Sequence, residues 1–442
     1  MTENQNEALA IPENPKETQD EQIEEVVSEH KSWFQRTFSP FSVTSLRNSI
    51  LTMIISALGT GVFTFHKLFN EAGIVVSLFL IIIYMLAYML SMDCLIYSSS
   101  VSNESRSLNE LVRNVLGKRI SIIYDIIFFV NNYIVLLAYI ATIFNNIYET
   151  LKDPIQSIIP GENEKSRKFH FKLIFSFFSL VVLFFLNRLK SLKGLASFSI
   201  FSILTFFFTL FLCIGQTPFY YKPEFKFNWV EPTAEGVLTR FGLLIFAYNG
   251  LFNFYGMKNS MKNPIVRRLK KVSKRSFYIL ALIFVSIGFA SYLSLGQDGA
   301  DKLNNLFIYR PKFGETDYMM SICRICLAAS LYISFAYVTQ PLKTATNSIF
   351  NHETSETGNI LSSLFFSATP IILIIFFDKI DFFVSFSGTS TTPFIVFIFP
   401  CLLGIKSGYI KSKFYVTCMW IWIAVCVILA VVGTFALFLD KK

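Results

Sequence analysis

The chain has 442 residues, a formal charge of +9, 53% hydrophobic residues and a mean hydropathy of +0.51, with 50 phenylalanines. This composition excludes a soluble enzyme and describes a polytopic membrane protein. Most Lys and Arg sit in short loops beside apolar runs, as orientation in a bilayer requires, which sets nucleic acid aside as a partner.

Residues 1–40 are polar, with nine acidic residues between Glu3 and Glu29 against one base, Lys16. Low hydropathy and high charge predict a disordered tail. It contains no basic segment followed by an apolar run, so no signal peptide is expected and the first span acts as the signal anchor.

Eleven apolar segments follow, at about 48–66, 73–97, 120–148, 170–187, 194–215, 236–257, 275–296, 318–342, 358–377, 382–404 and 413–438. Each approaches the length that a bilayer demands. With the N-terminus inside, the inner segments carry 23 Lys and Arg and the outer ones 13, leaving Lys172, Arg240 and Arg324 within spans. The N-terminus is therefore expected to be cytoplasmic and the C-terminus outside or lumenal. The sequon Asn103-Glu104-Ser105 falls in an inner loop and is expected to be unmodified. The densest basic loop holds Lys258, Lys262, Arg267, Arg268, Lys270, Lys271, Lys274 and Arg275 without an acid. It reads as a topology anchor, with a lipid-binding or gating latch as the functional alternative.

The first span breaks at its centre, at Leu58-Gly59-Thr60-Gly61-Val62. A helix in hydrocarbon tolerates such a break only where it lines a cavity or binds something. Two glycines let the chain unwind and admit a ligand close to the backbone. The following half-helix presents N–H groups of positive dipole character, the chemistry of a carboxylate receptor. The sixth span is interrupted in turn at Phe246-Ala247-Tyr248-Asn249-Gly250, where the end of a half-helix offers carbonyls to an ammonium group. Two such breaks, each opening a five-span half, point to a mid-membrane site for a zwitterionic amino acid; close helix packing is the alternative use of the glycines. Phe63, Asn132, Tyr248, Phe252 and Ser334 are candidate lining residues. Asn131, Asn132 and Tyr133 in span three are placed to contact substrate or to join helices.

No enzyme is expected. The histidines are His30, His66, His170 and His352; none sits mid-span beside a second catalytic group, and no phosphate-cradling glycine loop or paired intramembrane acids occur. The seven cysteines lie inside or at the ends of spans, and Cys323-Arg324-Ile325-Cys326 has neither the second pair nor the nearby His of a metal site.

Gly59-Thr60-Gly61-Val62-Phe63 followed by Phe69-Asn70-Glu71-Ala72-Gly73 resembles the G-[ST]-G-[IL]-[LF] and F-x-x-[AG]-G pattern of the amino acid/auxin permease family, within the wider amino acid–polyamine–organocation transporters. Phe246-Ala247-Tyr248-Asn249-Gly250, Met261-Lys262-Asn263-Pro264 with Lys271, Gln340-Pro341-Leu342 and Phe399-Pro400 resemble later family segments in the right order. The resemblance implies an all-α membrane protein of eleven transmembrane helices. It would have a LeuT-like fold of two inverted five-span repeats, over 45–215 and 236–404, plus an additional helix at 413–438. It implies a secondary active amino acid transporter that works by alternating access, with the lipid bilayer and a small amino acid as its partners. An amino acid-sensing receptor on the same fold, reporting through the acidic tail, is the alternative. Plasma membrane and vacuolar or lysosomal membrane both remain open, as does the oligomeric state.

No cofactor is implied beyond a coupling ion. Sodium-coupled members similar to this chain commonly carry Asn four residues before the G-[ST]-G motif, where this chain has Ile55. Ser334, seven residues before Pro341, resembles the one remaining side-chain sodium ligand. The missing oxygen favours proton coupling or exchange, with sodium symport as the alternative. Asp93, Asp125, Glu71, His66 and Arg324 are the ionisable candidates for a proton carrier, each expected at an interface, and Arg324 alternatively as a gate paired with an acid.

Overall fold

A computed structural model of the chain describes residues 46–439 apart from 59, 103, 159–162, 189–191, 233, 249, 262, 304–306, 311–316, 351–355, 378–379 and 410–411. The acidic tail and Asn103 of the sequon thus lie outside the described residues. Among the described residues every element is helical. The reason is solvation: in hydrocarbon a helix satisfies each backbone group within its own segment.

The chain opens with α1 (Leu46–Ala57), a 3-10 turn (Thr60–Thr64) and α2 (Phe65–Ala72), which together make the first span. Then come α3 (Ile74–Val101), α4 (Leu108–Leu116), α5 (Lys118–Ile158), α6 (Glu164–Arg188) and α7 (Leu192–Tyr220). The sixth span repeats the broken design as α8 (Ala234–Ala247), a 3-10 turn (Leu251–Asn253) and α9 (Phe254–Ser260). It is followed by α10 (Val266–Lys302), a 3-10 turn (Phe307–Tyr309), α11 (Tyr318–Phe350) and α12 (Glu356–Phe376). Span ten consists of α13 (Ile380–Phe386), π-helical turns at Ser387–Thr391 and Phe394–Ile398, and α14 (Phe399–Lys406). The last helix is α15 (Lys413–Leu439).

Eight helical segments among the described residues are long and apolar enough to cross a membrane, and Leu204–Tyr220 is a shorter apolar one. These eight, the shorter apolar helix and the two broken spans together correspond to the eleven apolar segments of the sequence. The most apolar stretches of α5 and of span ten are 72% buried, whereas those of α6 and α15 are only 22% and 28% buried. The first pair therefore belongs to the core. The second turns side chains such as Phe177, Phe185 and Phe435 outward, toward the acyl chains that act as its solvent.

Three contacts identify the face at which α1 begins: Ser276 Oγ donates to the Ile50 carbonyl (3.3 Å), the Ser98 and Ser407 hydroxyls meet at 3.0 Å, and Lys258 Nζ donates to the Ser99 carbonyl (3.1 Å). On the opposite face Arg240 forms a two-pronged ion pair with Glu71 at 2.8 and 2.7 Å.

Two details differ from the sequence expectation. The basic stretch from Arg267 to Arg275 forms the first turns of α10 rather than a loop. The helix reaches past the apolar segment, and Gly296 (φ 66°) kinks it where that segment was expected to end. Secondly, α4 is a short helix inside the expected loop at 98–119. Ser107 Oγ accepts from the Glu110 N–H (3.2 Å) while Glu110 Oε2 accepts from the Arg106 N–H (2.7 Å), a capping pair one residue wider than the usual box.

Candidate functional site

Both breaks form, and they face each other. α1 closes with the Leu58 N–H on the Ile54 carbonyl (2.8 Å), and the helix resumes as a 3-10 turn at Thr60. α8 closes with the Tyr248 N–H on the Leu244 carbonyl (3.4 Å); Gly250 N–H then reaches only two residues back, to the Tyr248 carbonyl (2.6 Å). A Cβ built on Gly250 stands 3.1 Å from Ala57 Cβ and 3.2 Å from Ser56 Oγ, and one on Gly61 stands 2.9 Å from Phe246 Cδ1. Glycine is what allows the two spans to approach this closely.

The pairing has an electrostatic consequence. The carbonyl end of α1, at Ala57, lies beside the N–H end of the turn that Gly250 opens. Gly61, in the turn that follows α1, packs against the ring of Phe246 near the end of α8. Helix termini leave such groups without intrahelical partners and carry partial charge. At the Gly250–Ala57 contact, positive and negative backbone ends therefore sit side by side without a formal charge.

Of the residues expected to form the site, Leu58, Val62 and Phe246 are buried around the breaks, with Gly61 and Gly250 at the contact itself. Gly59 and Asn249 lie outside the described residues, as do the side chains of Ile55, Thr60 and Phe252. Tyr248 contributes backbone to the break, but its side chain points elsewhere. Its hydroxyl donates to the Ile81 carbonyl (3.4 Å), and its ring packs on Tyr88 and edge-on to Phe284 with centroids at 5.0 and 4.7 Å. Asn132 is buried and its Nδ2 donates one turn back to the Phe128 carbonyl (2.8 Å); Ser334 is buried on α11.

A narrow cavity borders the first break, lined by Phe63, Phe206, Ile308, Leu327 and Leu331 with Thr142 and Asn146 as its polar members. The segment 307–310 borders it from the Glu71 face. Arg324 Nε and Nη2 both donate to the Ile308 carbonyl (2.9 and 2.7 Å), Tyr309 Oη donates to Asn146 Oδ1 (2.8 Å), and Arg310 donates to Gln216. His66 Nε2 meets the Leu303 carbonyl at 3.4 Å.

His66 and Arg324 are both buried within the protein, each turned onto a backbone carbonyl of the segment between α10 and α11. Arg324 makes that contact with a carbonyl instead of the acid of a gate. Asp125 is buried as well, while Asp93 and Glu71 are half-buried.

Two polar centres join helices, and of their members only Asn131 stands out in the sequence, as a residue that contacts substrate or joins helices. Lys343, buried in α11, gives its ammonium to the Asn187 carbonyl (2.6 Å), Ser363 Oγ (2.6 Å) and Asn359 Oδ1 (3.1 Å), tying α6, α11 and α12 together. In span ten, Ser387, Thr391 and Thr392 all direct hydroxyls at Asn131 Oδ1 on α5, at 2.9, 2.8 and 2.8 Å. The signal for the second was present: six hydroxyl residues fall between Ser385 and Thr392 inside an apolar span.

The family model described as "Transmembrane amino acid transporter protein" matches residues 42–439. Sodium-coupled neutral amino acid transporter 7 of Danio rerio is 23% identical over 388 residues, covering 82% of this chain and 79% of that protein. Vacuolar amino acid transporter 7 of Saccharomyces cerevisiae is 26% identical over 121 residues, covering 27% of this chain and 24% of that protein. The first relative that the chain matches is likewise spanned over only 47% of its length. Among solved structures, a histidine-to-alanine mutant of the Eremococcus coleocola manganese transporter superposes with a TM-score of 0.58 at 11% identity, covering 90% of this chain and 86% of that one. At that identity the likeness concerns the fold alone.

Proposed function

The chain belongs to the transmembrane amino acid transporter family, and from that premise we propose that it is a secondary active transporter which binds its amino acid between the two broken spans. The observation that supports this reading is the close approach of the two broken spans, Gly250 against Ala57 and Gly61 against the Phe246 ring, which brings the ends of their half-helices near one another. The turn beginning at Thr60 receives the carboxylate on backbone N–H groups. The carbonyl end of α8, at Phe246 and Ala247, receives the ammonium. The cavity beside Phe63 and Phe206 takes part of the side chain.

Alternating access then requires the broken spans to move against the rest of the bundle. The segment at 307–310, pinned by Arg324 and Asn146, obstructs one of the two routes. At the usual sodium position Ile55 supplies no oxygen, which favours a proton gradient or exchange over sodium bound there. The distribution of Lys and Arg supports a cytoplasmic N-terminus. The name of the yeast relative supports a vacuolar membrane.

Uptake by the purified chain in proteoliposomes, across a panel of amino acids with pH and sodium gradients imposed separately, tests this reading. Saturable uptake of a neutral amino acid driven by a pH gradient or by internal amino acid is expected. Absence of uptake or exchange for every member of the panel would refute it.

A further inference from the structure

We infer that the basic stripe on the first turns of α10 is a docking surface for anionic phospholipid headgroups. Exposed side chains of this helix follow one another at steps of three, four and seven residues: Arg267, Lys271, Lys274, Tyr278, Leu282 and Phe289, with Arg275 flanking Lys274. At about 3.6 residues per turn these steps keep them on one face. The opposite side, which includes Leu269, Val272 and Leu280, is buried against the bundle.

The exposed face changes character once along its length. Past Tyr278 it is apolar and turned to the acyl chains, Leu282 being 67% exposed. Ahead of Tyr278 it is basic from Arg267 to Arg275, about 12 Å of helix. A tyrosine at such a boundary marks the level of the headgroups. The lipid-facing face therefore carries its cations straight into the headgroup layer. No acid occurs in the chain from Lys258 to Gln297. Asp93 on α3 lies within electrostatic reach of Lys270 and Lys274, and Lys270 turns back to the Tyr409 hydroxyl (3.4 Å). Lys271 and Arg275 extend the positive surface outward. Clustered Lys and Arg immediately beside a membrane span are what an anionic lipid surface attracts.

The acidic residues between Glu3 and Glu29 are a competing source of negative charge, because the chain enters α1 at this same face. The side on which α1 packs favours lipid over them. Ser276 Oγ, which donates to the Ile50 carbonyl of α1 (3.3 Å), is two residues from both Lys274 and Tyr278. Two residues are about 160° apart around a helix, so the stripe looks away from α1 and out to the bilayer. The Ser276 hydrogen bond and the stacking of Phe284 on Phe65, with centroids at 5.2 Å, tie α10 to both halves of the first broken span. Headgroup binding thereby bears on that span. This last consequence rests on the proposed transport function; the docking surface does not.

Thermal unfolding of the purified protein in detergent, titrated with phosphatidylserine or with phosphatidylcholine, tests the surface without amino acid or gradient, so its outcome is separate from that of the uptake experiment. Phosphatidylserine should raise the unfolding midpoint saturably above phosphatidylcholine, and the gain should shrink as salt is raised. Lys271→Gln combined with Lys274→Gln should weaken the apparent phosphatidylserine affinity at least tenfold. Lys222→Gln combined with Lys226→Gln, an equal loss of charge on the Glu71 face, should leave it unchanged. Deleting residues 1–40 should leave it unchanged as well. If the first double variant fails to fold, Lys271→Gln alone carries the comparison, and the lipid series on the unaltered protein stands by itself. Equal midpoints in the two lipids, equal losses in both double variants, or a phosphatidylserine effect that emerges only after the deletion, which would give the stripe to the acidic tail, would each overturn the inference.

Discussion

Replacing Gly388 by alanine probes the crossing of spans six and ten, where the fold has least room. A Cβ on Gly388 would stand 1.8 Å from the Gly242 carbonyl oxygen and 2.4 Å from its carbon, where ordinary contact begins at 3.4 Å. The shortfall of 1.6 Å has to come from movement of whole helices, because both partners are backbone. Overpacking that flexible side chains absorb costs about 1–3 kcal/mol, so a backbone collision is expected at or above about 3 kcal/mol. Gly215→Ala is the control: it lies inside α7 with nothing within 4 Å of the added carbon, so its helix should gain about 0.5–1 kcal/mol. Thermal unfolding in detergent and initial uptake rate are the readouts. Gly388→Ala should unfold well below wild type and lose most uptake, while Gly215→Ala matches or exceeds it. A Gly388→Ala protein with wild-type stability and uptake would refute the close crossing.

Arg324→Leu removes both donors from the Ile308 carbonyl and should cost about 1–3 kcal/mol. Hydrogen exchange at residues 307–310 should speed up, and unchanged exchange would show that the arginine does not pin the segment. Lys343→Met strips three oxygens on α6 and α12 of their shared donor and should destabilise by at least about 2 kcal/mol in thermal unfolding. A neutral result would mean that the tie is dispensable. Glu71→Gln weakens a partly exposed ion pair and should cost only about 1 kcal/mol. Its effect should shrink as salt is raised, and an effect independent of salt would contradict an electrostatic role.

The broken spans were legible because closely spaced glycines weaken a helix in the middle of an apolar run, where unpaired backbone finds no water. Charge, in contrast, misled at α10: six basic residues between Arg267 and Arg275 read as a loop, yet they continue a helix beyond its apolar part. An ionisable side chain near a span end usually reaches water, yet His66 and Arg324 each meet a carbonyl of the 303–308 segment, a partner that no spacing in the sequence reveals. Tyr248 illustrates the same limit, since its ring direction is set by Tyr88, Phe277 and Phe284 on two distant helices. The capping pair at Ser107 and Glu110 and the hydroxyl run of span ten were visible patterns, but only the packing of α5 on span ten shows what the run addresses.

The central claim is that an amino acid lies between the two breaks, held by backbone. A cryo-EM structure of the wild-type protein saturated with a transported amino acid tests it most directly. The account predicts ligand density between Leu58–Val62 and Phe246–Gly250, with the carboxylate against N–H groups of the turn at Thr60–Thr64 and the ammonium against the carbonyl end of α8. Density for the amino acid at any other place, with the Gly61 and Gly250 contacts closed as they are now, would contradict it.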